Sequence, residues 1–165
     1  MKRTINWQAI VAVVLAVLVP AAGLAQTVVE TIDYEGSWVI FEQQGFKLYL
    51  PNGWQIAQAA DTGKILLLNE TATASMWVEV MAGDGYTLEG ILEAFSQAKG
   101  FSNVQLVYFG GVPFVTYTLE ADDLFGAVTL SADYASAVFF KFMPYSDTAL
   151  TSLAVKIMAT LTPAV

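Results

Sequence analysis

The side chains available for chemistry in this 165-residue chain are carboxylates, hydroxyls and a few lysines. The chain has no histidine and no cysteine, so it offers neither an imidazole base nor a thiolate nucleophile or ligand. Its only arginine is Arg3, and no Walker loop or GxGxxG pattern surrounds its glycines. The composition therefore excludes Ser-His-Asp and Cys-His catalysis, disulfides and cysteine-bound metals, and no cofactor is expected.

The densest acidic cluster is Glu120-Ala121-Asp122-Asp123. Calcium takes several oxygen ligands from carboxylates and backbone carbonyls, which makes Glu120, Asp122 and Asp123 candidate calcium ligands. The cluster matches only part of the alternating D-x-D-x-D-G spacing of a calcium loop. We therefore interpret it first as a solvated hairpin tip, and no resident metal is expected.

A second group lies on the predicted strand 76–81, where Trp77 and Glu79 alternate onto one face. A buried carboxylate there would be costly unless paired, so an exposed edge of the sheet is favoured for Glu79. Trp77, Glu79 and Tyr117 together form the candidate binding surface. Paired carboxylates for glycoside hydrolysis are an alternative use of such residues. The acids and aromatic platforms that would serve it are Glu42, Glu70, Glu79, Trp38, Trp54 and Trp77.

Residues 1–25 have the order of a secretory signal peptide. A basic start precedes the apolar run 9–19, and Gly23 and Ala25 suit the −3 and −1 positions for cleavage before Gln26. An uncleaved membrane anchor is the alternative, although a spanning helix needs about 20 apolar residues. We expect a secreted or extracytoplasmic bacterial protein, cleaved near Ala25–Gln26 and not held in a membrane afterwards.

The charge of the chain limits its partners. Beyond residue 25 there are 15 acidic residues and five lysines, a formal net charge of −10. Nucleic acids and anionic lipid surfaces both require a basic patch, which this composition does not supply. The partner is therefore expected to be a protein or a small ligand, and the oligomeric state stays open.

The elements that must position these residues follow the order strands, helix, strands, helix. Residues 26–36 are weakly patterned and are interpreted as a spacer. A helix is predicted from an N-cap at Thr87 to Gly100, and a second from Ser146-Asp147 to Thr162-Pro163. Strands are predicted at 37–42, 46–50, 54–58, 64–69, 76–81, 103–109, 112–120, 125–132 and 137–143.

Two of these segments, 38–41 and 138–143, are apolar on both faces. A half-solvated antiparallel sheet alternates apolar and polar residues, so such strands require cover on both sides. We predict a single α+β domain over residues 37–162, with a twisted, mainly antiparallel sheet covered by helices on both faces, an α-β-α sandwich. The alternative places both helices on one face and leaves Trp77, Tyr117 and Phe139 exposed.

Three segments resemble PsbP-like domains. Residues 46–54, FKLYLPNGW, are similar to the F-x-hydrophobic-x-hydrophobic-P-x-G-W opening of that family, and residues 111–117, GVPFVTY, to its G-x-P-hydrophobic-x-x-Y strand. The aromatic strand and helix at 138–161 are similar to its C-terminal end. The resemblance implies the same α-β-α sandwich. The family includes a photosystem II extrinsic subunit, a Ran-binding import factor and many exported bacterial proteins, and most of its understood members are binding or assembly factors.

No catalytic motif of that family exists to be carried over. The sequence therefore favours an exported, non-enzymatic binding or assembly module that acts outside the cytoplasm, with its ligand open. Two alternatives come from other classes: a carboxylate-based hydrolase acting on polysaccharide, and a binder of a small apolar ligand between sheet and helix.

Overall fold

A computed structural model describes residues 26–28, 32–59, 64–82, 85–131 and 135–164. The predicted signal peptide lies outside the described residues. The two helices are α1 (Leu88–Gln97) and α2 (Thr148–Met158). The strands are β1 (Gln26–Val28), β2 (Gly36–Phe41), β3 (Phe46–Pro51), β4 (Gln55–Ala59), β5 (Lys64–Leu68), β6 (Ser75–Ala82), β7 (Ser102–Phe109), β8 (Val112–Leu119), β9 (Leu124–Leu130), β10 (Ser136–Met143) and β11 (Thr162–Pro163).

The strands form two sheets. The main sheet has eight strands in the order β1-β7-β8-β9-β10-β6-β5-β4, and the small sheet has three in the order β11-β3-β2. Neighbouring strands are antiparallel, except that β1 runs parallel to β7 with Gln26 opposite Val107. The mainly antiparallel sheet that was predicted is therefore present.

Both helices begin at the capping residues that the sequence indicates. The Thr87 side chain accepts a hydrogen bond from the Gly90 N–H, and the Asp147 carboxylate accepts from the N–H groups of Ala149 and Leu150. These bonds satisfy main-chain donors that a helix start otherwise leaves without a partner. Among the described residues, no helix is long and apolar enough to cross a bilayer.

The two helices lie on opposite faces of the main sheet. On one face, α2 and the small sheet enclose the larger core, where Leu48, Phe114 and Ile157 are fully buried. On the other face, Ile91 of α1 packs in a second core with Val128. The α-β-α sandwich is thus confirmed, and the alternative with both helices on one face is wrong.

Strand β10 shows why both faces need cover. Phe140 and Phe142 are buried in the larger core, while Phe139 and Met143 pack against the second core. A strand that is apolar on both sides loses free energy if either side meets water, so its pattern requires two covering layers.

The prediction that a strand with apolar residues on both faces is covered on both faces is wrong for β2. This strand belongs to the small sheet, and its Trp38 and Ile40 side chains are 48% and 56% exposed. Only its other face, which carries Val39 and Phe41, packs against the larger core. The small sheet is itself an outer layer, so one face of it meets solvent.

The segment interpreted as a spacer also contacts the domain. Residues 26–28 form β1 at the edge of the main sheet. Further along, the Asp33 carboxylate pairs with Lys156 Nζ at 2.8 Å, and the Tyr34 hydroxyl donates to the Tyr49 carbonyl at 2.9 Å. The described part of this segment is therefore packed on the domain, through contacts with partners far away in sequence.

Candidate functional site

An open depression lies on the face of the main sheet that carries α1. Its volume is about 350 Å³. Helix α1 packs on β7 and β8, so the part of this face formed by β5, β6 and β10 lies beside the helix. The residues lining the depression are Lys64, Trp77, Glu79, Leu124, Lys141 and Met143.

The pairing of the strands brings these side chains together. Glu79 on β6 stands opposite Lys64 on β5, and Trp77 stands opposite Lys141 on β10. Because successive side chains of a strand point to opposite faces, Trp77 and Glu79 share a face, as the sequence predicts. The two lysines were not predicted as site residues. Only the register of the strands reveals them, and their spacing along the chain gives no signal.

Glu79 is shared between the two lysines. Its Oε1 lies 3.1 Å from Lys64 Nζ and its Oε2 lies 3.4 Å from Lys141 Nζ. The Glu79 side chain is 20% exposed, whereas those of Lys64 and Lys141 are 51% and 40% exposed. Burial opposes ionisation of Glu79, but the hydrogen bond from Lys64 and the charges of both lysines outweigh it and hold its pKa below the usual value. The expectation that Glu79 lies at an exposed sheet edge is therefore wrong, because β6 is an inner strand of the main sheet. The acid is paired instead, and it remains charged at neutral pH.

Tyr117, the third residue of the candidate binding surface, is a core residue, which corrects its assignment to an exposed surface. Its side chain is only 4% exposed, because its ring packs against Phe95 of α1 and against Phe101, with ring centres 4.9 Å apart in both contacts. Burial raises the pKa of Tyr117 to about 12, and the charge of Glu79 adds to the rise. Tyr117 therefore belongs to the second core and does not line the depression.

The candidate calcium ligands lie in the turn between β8 and β9. Asp123 has a positive φ of 50°, and its two carboxylate oxygens accept hydrogen bonds of 2.7 Å from the Ser146 N–H and hydroxyl. Glu120 accepts a bond of 3.4 Å from the Ser102 hydroxyl. In the part of the chain that the structure describes, no three acidic side chains converge in a way that can hold a metal ion. The geometry shows Asp123 tying this turn to the start of α2, and gives Asp122 no such role.

The other two tryptophans among the described residues, Trp38 and Trp54, lie away from the depression. Trp54 is half-buried against the larger core, beside Glu70 in a shallow cleft. Trp38 is exposed on the small sheet, where its ring meets Tyr49 edge-on with centres 5.4 Å apart and Lys47 Nζ lies 5.3 Å from its ring centre. The three predicted aromatic platforms, Trp38, Trp54 and Trp77, therefore lie at separate places on the molecule.

A smaller cavity of about 190 Å³ lies between the two sheets and not between sheet and helix. Its lining is mainly apolar and includes Phe46, Val112, Leu130 and Val138. Sites for small molecules usually measure about 300–1,000 Å³, so this cavity is smaller than an apolar-ligand binder requires.

No protein-family model and no curated protein sequence matches the chain. Several solved structures share its fold. Cyanobacterial PsbP (CyanoP) from Synechocystis sp. PCC 6803 has a TM-score of 0.53 and 12% identity, covering 89% of this chain and 98% of that chain. A mutant of the protein Mog1 has a TM-score of 0.50 and 9% identity, covering 78% and 96%.

A third solved structure, from Bacteroides thetaiotaomicron VPI-5482, has a TM-score of 0.51 and 16% identity. The match covers 73% of this chain and 45% of that longer chain. The chain therefore has a PsbP-like fold, as its resemblance to PsbP-like domains implies. At these identities the likeness shows the fold alone, and the function must be argued from the site.

Proposed function

We propose that this chain is an exported, non-enzymatic binding module whose ligand occupies the depression beside Trp77 and Glu79. One observation carries the proposal: an aromatic ring and a lysine–glutamate–lysine set share an open depression on the part of the sheet beside α1. A concave surface that combines apolar side chains with a few polar groups is the usual form of a binding site.

The lining of the depression favours an anionic ligand with an apolar face. Trp77, Leu124 and Met143 supply apolar surface, while two lysines and one glutamate leave a local charge of one positive unit. That sign is opposite to the formal net charge of −8 of the whole chain. Each lysine ammonium has three donors, so both can bind a ligand carboxylate or sulfate while keeping Glu79.

The same geometry argues against the polysaccharide hydrolase. Glycoside hydrolysis uses two carboxyl groups, and one of them must be protonated as the acid, which requires a raised pKa. The lining of the depression contains one carboxylate, Glu79, and its pKa is lowered. Glu79 therefore suits the holding of charged partners better than proton donation.

Export is supported by residues 1–25, which have the basic, apolar and small-residue order of a signal peptide. The absence of cysteine from the chain also fits an exported bacterial domain that is large enough to fold without disulfides. We place the action of the protein outside the cytoplasm on these grounds.

The test is a titration of the full chain with 8-anilinonaphthalene-1-sulfonate, an anionic aromatic probe whose fluorescence rises on binding. We expect saturable binding that Trp77→Ala and Lys141→Ala each weaken about tenfold, which corresponds to about 1.4 kcal/mol. Trp38→Ala is the matched control, because it removes an exposed tryptophan elsewhere. The uncharged analogue N-phenyl-1-naphthylamine should bind more weakly.

Two results contradict the proposal. Equal losses on substitution of Trp38 and Trp77 would place the probe on unspecific apolar surface. Turnover in a polysaccharide hydrolase screen that disappears in Glu79→Gln would show that the site is catalytic.

A further inference from the structure

Strand β2 has a free edge. It is the outermost strand of the small sheet, and β3 is the only strand that pairs with it among the described residues. An unpaired strand edge presents main-chain donors and acceptors that can receive another strand.

The hydrogen-bond pattern identifies which groups face outward. The Asn52 N–H donates to the Glu35 carbonyl at 2.9 Å, so Asn52 faces the β2 side of β3. The Tyr49 N–H donates to Thr160 Oγ1 at 2.8 Å, so Tyr49 faces the other side, away from β2. Alternate residues of an antiparallel strand face opposite edges, so Ser37, Val39 and Phe41 bond to β3. The N–H and C=O groups of Trp38 and Ile40 therefore face the free edge.

The side chains of those two residues are exposed on the outer face of the small sheet, at 48% for Trp38 and 56% for Ile40. Trp38 is held in place by its edge-on contact with Tyr49 and by Lys47 over its ring. Because a rigid aromatic side chain has little conformational entropy left to lose, this edge is organised before a partner arrives.

The charges around the edge indicate which partner it fits. Glu35 and Glu42 are exposed at the two ends of β2, and β2 itself contains no lysine or arginine. The nearest cation is Lys47 on β3, which stands opposite Ile40 and lies over the Trp38 ring, so it faces the middle of the edge and not its ends. A second copy of this chain would bring the same acids and the same negative charge. A basic segment would meet opposite charge at both ends and apolar side chains between them.

We infer that the free edge of β2 receives an extended segment of a partner protein, apolar in its middle and basic at both ends. Main-chain hydrogen bonds to Trp38 and Ile40 provide the pairing, and Glu35 and Glu42 select the charge. The inference concerns a different layer from the Trp77 depression and does not depend on the ligand proposed there.

The test uses the full chain and a fluorescein-labelled peptide, Lys-Lys-Val-Thr-Val-Thr-Val-Lys-Lys, followed by anisotropy. We expect saturable binding that falls at least about tenfold when alternate peptide nitrogens on one edge are N-methylated, since those donors are lost. Methylation of the other edge should leave binding intact. This comparison leaves the protein unchanged, so misfolding cannot imitate the result.

Two variants locate the peptide. Ile40→Pro removes an outward N–H and should weaken binding at least about tenfold. Glu42→Lys should weaken binding of this peptide severalfold and improve binding of a second peptide in which glutamates replace the four terminal lysines. Glu93→Lys on α1, with the same change of charge, should do neither.

Equal binding of both methylated peptides would overturn the inference. So would a concentration-dependent dimer in sedimentation that Ile40→Pro abolishes, because a second copy would then be the occupant.

Discussion

Glu79 is the residue on which the candidate site depends, because its two carboxylate oxygens bind lysines from two neighbouring strands. The pair with Lys64 joins β6 to β5, and the pair with Lys141 joins β6 to β10. Exposed ion pairs contribute little to stability, typically 0–1 kcal/mol. We therefore assign Glu79 mainly to positioning the lysines around Trp77, with a small effect on stability that depends on pH.

That pH dependence has a defined sign. The pKa of Glu79 in the folded state lies below the ordinary value of 4.5, so its contribution to stability is present above about pH 4.5. It is lost as the pH falls through the folded-state pKa. The difference in melting temperature between wild type and Glu79→Gln should be largest near pH 7 and shrink in acid. Glu93→Gln is the control, and a difference that stays constant with pH would contradict the assignment.

Gly126 is required by a close approach of Tyr117. The two residues stand opposite each other on β9 and β8, and a Cβ atom at position 126 would overlap the Tyr117 ring. The ring cannot move away easily, because Phe95 and Phe101 pack against it. Gly126→Ala should lower the free energy of unfolding by about 1–3 kcal/mol in urea denaturation.

The control for this prediction is a double-mutant cycle. In a Tyr117→Ala background the glycine substitution should cost clearly less, since the ring that it overlaps is gone. Equal costs in both backgrounds would mean that the glycine is needed for some other reason.

Helix α2 depends on a cap that the sequence already indicates. The Asp147 carboxylate accepts hydrogen bonds of 3.1 and 3.0 Å from the N–H groups of Ala149 and Leu150. Asp147→Ala should lower the free energy of unfolding by about 1 kcal/mol. Asp147→Asn should lower it much less, because asparagine also caps helices. Thermal unfolding of the two variants provides the measurement, and equal losses would contradict a capping role.

The elements themselves could be predicted because their signals are local. Capping residues, apolar spacing and turn residues lie within a few positions of each other, so both helices and β2 to β10 were expected close to where they occur. Strand β1 could not be predicted, since it has three residues and its partner begins at Val107. Strand β11 was not predicted either: α2 ends at Met158, and Thr162–Pro163, expected as the helix end, pairs with β3. The placement of β2 in a second sheet also depends on packing that is distant in sequence.

Only part of the candidate site could be predicted, because only part of its geometry is local in the sequence. Trp77 and Glu79 alternate along one strand, which the sequence shows directly. Lys64 and Lys141 reach Glu79 only through the register of three strands, and Tyr117 is buried by a helix that lies elsewhere in the chain. Contacts made between elements decide which of these side chains remain accessible.

At the scale of the whole molecule, the two proposed binding surfaces belong to different layers. The Trp77 depression lies on the face of the main sheet that carries α1, while the small sheet that contains β2 packs on the opposite face. The main sheet and the larger core therefore lie between the two surfaces.

The separation predicts independent binding. The affinity of the basic peptide should be the same within about twofold when the anionic probe saturates the chain, because the two surfaces share no residue and lie in different sheets. Anisotropy titrations with and without the probe provide the measurement. Competition between the two would indicate that they share one surface.

The last prediction concerns the start of the mature protein, which we expect to be Gln26. The apolar run 9–19 has 11 residues, too few to span a bilayer, and the small residues Gly23 and Ala25 suit a cleavage site. Cleavage before Gln26 would leave the whole of β1 to pair with β7. Intact-mass measurement of protein exported by a bacterial host should give the mass of residues 26–165. Ala25→Phe should block processing, since a large residue does not fit the −1 position. A wild-type mass of the full chain in the membrane fraction would instead mean that residues 1–25 are retained as an anchor.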